Sequence, residues 1–86
     1  MLTVSFTPQF RKMFSKLETA LQEEALDKIE LFSNATNHSQ LKVHKLKGQH
    51  SHHYSFSVNY KHRIVFMYLT KKEAILLAIG DHDIYS

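Results

Sequence analysis

Residues 54–69 read YSFSVNYKHRIVFMYL, and the two halves of this stretch alternate differently. In the first, Tyr54, Phe56, Val58 and Tyr60 interleave with Ser55, Ser57 and Asn59, the period of a strand with one wet face. From Arg63 onward, Ile64, Val65, Phe66, Met67, Tyr68 and Leu69 form an apolar run, which predicts a more buried strand. Thr70-Lys71-Lys72-Glu73 then turns the chain into residues 74–79, apolar on both faces. Upstream, LKVHKL at 41–46 alternates like another strand and runs into Lys47-Gly48, and QHSHH at 49–53 forms a polar turn. Together these predict an antiparallel meander of three or four strands.

The N-terminal part has a different period. Leu2, Val4 and Phe6 alternate with Thr3 and Ser5, as in a half-buried strand. Thr7-Pro8 supplies an oxygen-bearing N-cap and a proline at the first helical position. Phe10, Met13, Phe14 and Leu17 follow at helical spacing, with a bend expected near 16–19 and a second helix over about 18–32. The polar stretch SNATNHSQ at 33–40 ends it. The predicted fold class is therefore α+β: a strand, a helical hairpin, then a twisted antiparallel sheet, with both helices on one sheet face.

Eighty-six residues make one domain, 1–86, without room for a second core. A hydrophobic content of 43%, two glycines and one proline exclude a linker or a disordered tail. The absence of cysteine removes disulfides and thiolate metal sites and fits a cytoplasmic setting. The opening MLTVSFTPQFRK has no charged segment leading into an apolar one, and no apolar run approaches a membrane span. The expectation is a soluble intracellular protein with no membrane partner.

Charge points to a class of partner. The net charge is only +3, yet no Asp or Glu occurs from Leu31 to Lys72. That stretch carries Lys42, Lys45, Lys47, Lys61, Arg63, Lys71 and Lys72, and six of the seven histidines. Unspecialised surfaces mix signs, so an anionic partner is expected, most simply a nucleic acid.

Three groups of residues could carry chemistry. His50-Ser51-His52-His53 and Asp81-His82-Asp83 offer zinc-ligand types, but neither has a recognised ligand spacing, and no metal or cofactor is expected. Lys45 and Lys47 flank Leu46 in a strand-like stretch, so both cations point the same way, and Arg63 opens the buried strand; arginine there can clamp a phosphate through two parallel hydrogen bonds. His82 and His44 are candidates for proton transfer. Tyr85 lies near His82 as a proton donor or a surface for a base.

Read together, HKLKG at 44–48, YSFSVNYKHRIVF at 54–66 and IGDHDIYS at 79–86 resemble the RelE/ParE superfamily of bacterial type II toxins. The branch most resembled is that of the RelE, YafQ and YoeB mRNA endoribonucleases. The resemblance spans nearly the whole chain and implies a RelE-like domain whose concave sheet face holds the active site. It implies metal-independent cleavage of messenger RNA in the ribosomal A site through attack by the 2′-hydroxyl, and a cognate antitoxin protein as partner. Carried over by position, Arg63 would stabilise the pentacovalent phosphate and His82 would be the general acid. Tyr85 would orient base or phosphate, and His44 would serve as general base. Lys45 and Lys47 would contact RNA phosphate, with Lys61 and His62 beside Arg63 as further RNA-facing groups. Asp81 and Asp83 would keep His82 protonated. The sequence departs from the family pattern in the middle of residues 54–60, where Ser55, Ser57 and Asn59 stand at the wet positions, so that His50, His52, His53 and His62 are alternatives to His44 as general base. Alternatives within reach are a ParE-like inhibitor of gyrase, a non-enzymatic RNA-binding module, and an inactive toxin.

Overall fold

The computed structural model describes residues 1–48 and 52–81. β1 (Thr3–Phe6) leads into α1 (Pro8–Ser15) and α2 (Thr19–Phe32), a short 3-10 turn follows at Ala35–Asn37, and then β2 (His44–Lys45), β3 (Tyr54–Ser57), β4 (Arg63–Thr70) and β5 (Glu73–Gly80). The strands form one sheet in the order β1-β5-β4-β3-β2. The expected α+β meander is present as four antiparallel strands, β2 to β5. β1 joins it as a fifth strand, parallel to β5. No helix among the described residues is long and apolar enough to cross a membrane.

Local chemistry sets the helix ends. The Thr7 hydroxyl accepts the Phe10 amide at 3.0 Å, with Pro8 at the first turn. α1 stops at Ser15, where the Phe14 carbonyl accepts both the Leu17 amide at 3.1 Å and the Gln22 side-chain amide at 2.9 Å. The Gln22 bond joins the hairpin where the sequence carries no proline or glycine to mark a bend.

α2 presents Ala25, Ile29 and Phe32 to the sheet, and α1 adds Phe10. Phe32 is fully buried, stacked on Phe56 at 4.4 Å and edge-on to Phe66 at 4.6 Å between ring centroids. Since Phe56, Ile64, Phe66, Leu76 and Ile79 all join this core, one face of the sheet is closed by the helices and the alternate residues belong to the other.

Two expected strands are shorter than their alternation suggested. Residues 41–46 shrink to His44–Lys45 because Leu41 is buried in the approach loop and Lys42 takes a left-handed φ of 59°. The Ser57 amide then bonds the Leu41 carbonyl at 2.8 Å. Residues 54–60 end as a strand at Ser57, and Tyr60 projects into solvent at 96% exposure. Ser55, expected on a wet face, is fully buried.

Replacing Phe32 by alanine is expected to lower the unfolding free energy by about 3–5 kcal/mol. Urea denaturation would show this as a lower midpoint at unchanged slope. Tyr60→Ala should stay within about 0.5 kcal/mol of the parent. Equal midpoints for Phe32→Ala and Tyr60→Ala would mean that the ring does not hold the helices to the sheet.

Candidate functional site

Register places the candidate residues. His44 pairs with Ser55, Ser55 with Val65 and Val65 with Ala78, forming one row across four strands. Ser57 pairs with Arg63, and Arg63 with Gly80, forming a second row two residues away. Paired residues share a sheet face, and these two rows alternate with Phe56, Ile64 and Phe66, so they lie on the face away from the helices. His44 and Arg63 thus share that face, two strands and two residues apart. Strand geometry makes this about 12 Å between their Cα atoms.

The imidazole of His44 is oriented by its own loop. Its Nδ1 lies 2.8 Å from the Lys42 carbonyl, and since a carbonyl only accepts, Nδ1 carries the proton. Of the two neutral tautomers this bond selects the one whose Nε2 accepts, and Nε2 lies 3.5 Å from the hydroxyl of buried Ser55. The left-handed turn at Lys42 aims the carbonyl that fixes this tautomer. An exposed imidazole whose Nε2 lone pair faces the sheet surface can take a proton from a group bound there.

Arg63 is positioned by the turn that precedes it. Its Nη1 donates to the carbonyls of Asn59 at 2.7 Å, His62 at 3.0 Å and Tyr60 at 3.2 Å. The turn itself is organised by Asn59, whose Oδ1 accepts from the His62 amide at 2.8 Å, the Lys61 amide at 2.9 Å and His62 Nδ1 at 3.1 Å. The Nδ2 of Asn59 donates to a carboxylate oxygen of Glu24 on α2 at 2.6 Å. A charge-assisted bond thereby ties the turn beneath Arg63 to the helical layer. Lys61 is exposed in this turn and His62 is half-buried, with Nδ1 committed to Asn59.

The remaining candidates divide. Lys45 pairs with Tyr54 rather than Ser55, so it stands on the face opposite to His44 and Arg63. It lines an open pocket of about 340 Å³ with Tyr54 and Tyr68 of the same face, together with His52 and Met67. Lys47 is exposed just beyond β2. Burial, with Tyr54 alongside, pushes the Tyr68 hydroxyl above its ordinary value. His82, Tyr85 and Asp83 lie outside the described residues, as does His50. β5 itself ends at Gly80, which pairs with Arg63. Among the described residues no three His, Asp or Glu side chains converge as metal ligands.

Asn59 and Glu24 were not legible as site-building residues. Asn59 fits the polar phase of a strand, and Glu24 fits the solvated face of a helix. The available signal was the N-Y-K-H spacing, an asparagine set to accept from amides two and three residues on.

No family model and no curated protein matches this sequence. Solved structures do match its fold. A conserved hypothetical protein from Helicobacter pylori aligns over 96% of this chain and 97% of its own, at TM-score 0.72 and 22% identity. A chain of the YoeB–YefM complex from Staphylococcus aureus aligns over 95% and 98%, at TM-score 0.71 and 20% identity. A chain of the toxin–antitoxin complex RelBE2 from Mycobacterium tuberculosis aligns over 94% and 98%, at TM-score 0.70 and 16% identity. This chain has the RelE-like toxin fold. In this RelE-like chain the sheet face bearing Arg63 and His44 is the one the helices leave uncovered.

Asn59→Ala would strand the Glu24 carboxylate and two turn amides together. The expected loss is about 1–3 kcal/mol in urea unfolding, with shifted NMR signals for Arg63 Nε–H and the Lys61 and His62 amides. Unmoved signals at those positions would show that Asn59 does not organise the turn.

Proposed function

We propose that this chain is the toxin of a type II toxin–antitoxin pair and that it cuts messenger RNA in the ribosomal A site. The observation that carries the reading is the shared face. A guanidinium anchored by its turn and an imidazole oriented by its loop stand on one helix-free surface, and β5 ends at Gly80 opposite Arg63. The stretch without carboxylates from Leu31 to Lys72 supports a polyanion as substrate. Fold neighbours crystallised with antitoxin partners support a cognate antitoxin here as well.

The reaction is a transesterification. His44 Nε2 takes the proton of a ribose 2′-hydroxyl, whose oxygen attacks the adjacent phosphorus. Charge builds on the equatorial phosphate oxygens as the new P–O2′ bond forms, and Arg63 stabilises that charge. Anchoring through Nη1 leaves the Nε–Nη2 edge of the fork to receive the phosphate in bidentate fashion. The P–O5′ bond breaks as His82 donates a proton to the leaving 5′-oxygen, yielding a 2′,3′-cyclic phosphate. Tyr85 orients base or phosphate, and Lys61, His62 and Lys47 supply further contacts to the RNA backbone. The antitoxin neutralises the protein by covering the basic face.

Primer extension on programmed ribosomes tests the assignment. Arg63→Ala should slow cleavage roughly 10²–10³-fold and His44→Ala roughly 10²-fold or more. Both should retain the parent's circular dichroism and relieve growth arrest on expression. Full activity in both variants would end the catalytic proposal. Supercoiling inhibition of gyrase with no cut RNA would place the chain in a different functional class.

A further inference from the structure

The pocket of Lys45, His52, Tyr54, Met67 and Tyr68 is not used by the chemistry above, and its lining has a definite character. Tyr54 and Tyr68 meet edge to face with ring centroids 5.0 Å apart and planes at 81°. They form two walls of a right-angled cleft. Behind them, Phe66 lies 5.5 Å from Tyr54 and 5.3 Å from Tyr68, and this fully buried ring fixes both walls. Lys45 stands directly opposite Tyr54 in the register, where paired Cβ atoms are about 5 Å apart. His52, in the turn before β3, completes the lining on this side. Both Lys45 and His52 are exposed, and no carboxylate is among the described lining residues.

We infer that this pocket binds one nucleotide of single-stranded RNA, outside the scissile position, with its base in the Tyr54–Tyr68 cleft and its phosphate on Lys45. A planar π-system and an anion joined in one ligand match an aromatic corner beside a cation. Base-on-aromatic stacking with a neighbouring cation is the recurring solution for unpaired strands. Burial raises the Tyr68 hydroxyl above its ordinary value, so Tyr68 meets the ligand as a neutral ring and hydrogen-bond donor. An ionised phenol there would repel phosphate.

The position relative to the cleavage face is informative. β2 is the edge strand of the sheet, and His44 and Lys45 are its two residues. They face opposite sides, yet their Cα atoms are only about 3.8 Å apart. An RNA strand lying on the His44 side reaches the Tyr54–Tyr68 side by rounding that edge, with no further strand of the sheet to cross. Arg63, by contrast, is five residues from Tyr68 along β4, about 17 Å in an extended strand. The extra nucleotide therefore lies on the His44 side of the scissile phosphate. The inference rests on the RNA-cleaving reading for its substrate, but its test measures binding.

The probe is a fluorescein-labelled single-stranded hexanucleotide, 2′-O-methylated throughout so that it cannot be cut, titrated by fluorescence anisotropy. Tyr68→Leu, which keeps apolar volume against Phe66 but removes the ring, should weaken binding roughly tenfold. Lys45→Ala should weaken it and lower the salt slope by about one unit, whereas Lys12→Ala on α1 should leave the slope unchanged. Tyr68 ring protons should shift upfield in NMR when the oligonucleotide binds. Parent-like affinity in both pocket variants overturns the inference, whatever Arg63→Ala does to cleavage. So does loss of binding to an acidic antitoxin peptide with RNA binding intact, which would make the pocket a protein-docking site. Weakened RNA binding in the pocket variants, with cleavage unaffected by Arg63→Ala, would keep the pocket and discard the catalytic assignment.

Discussion

The contact of Phe32 with Phe56 and Phe66 decides which side of the sheet is available for chemistry. These three rings lock α2 onto one face of β3 and β4. Strand alternation then assigns every second residue to the opposite face, and no local preference of His44 or Arg63 is needed to bring them together. A slip of one residue in the β3–β4 register would carry Arg63 under the helices and Ile64 into water, a swap that costs both a buried charge and an exposed aliphatic side chain. The aromatic core therefore enforces the functional register as well as the fold.

Polar anchoring refines what the core sets coarsely. Packing places the start of β4, but a long arginine side chain can sample many rotamers from one backbone position, and confining it costs entropy. Here the turn carbonyls of residues 59, 60 and 62 hold one nitrogen of the fork. The turn is itself held by Asn59, and Asn59 by Glu24. The order runs from helix to turn to guanidinium. Glu24 is thus an acid whose charge is spent on an amide donor inside the structure. That is compatible with a basic sheet face, since the carboxylates of residues 18–30 belong to the helical layer.

The α+β architecture was legible because its signals are periodic and redundant: the Thr7-Pro8 start, the 3.6-residue stripe of α2, and the apolar runs of β4 and β5. The ends of β2 and β3 were not. Leu41 and Val58 continue a strand-like alternation, but both are buried from loops, where side-chain period carries no information about backbone pairing. Ser55 misled for a related reason. A serine at an alternating polar position implies solvent, whereas here it lies beneath His44 and faces its ring. Arg63 and His44 were recognisable as candidates from charge and resemblance. The partners that aim them are backbone carbonyls, which have no sequence signature.

The short edge strand β2 ties these threads together. Two residues are enough to continue the ladder, yet too few to offer a long unpaired edge to another sheet. Because neighbouring strand residues alternate, two are also enough to place one functional group on each face. His44 looks toward the Arg63 row and Lys45 toward the tyrosine corner. A longer β2 would add side chains on both faces and widen the path between them. A two-residue edge keeps the imidazole and the ammonium adjacent while directing them to opposite sides, which suits a flexible single strand better than a rigid duplex. The same geometry separates the duties of the two cations. The arginine, fixed by its turn at the start of β4, suits charge that develops at one point, and the lysine at the rim suits charge that is already present along a backbone.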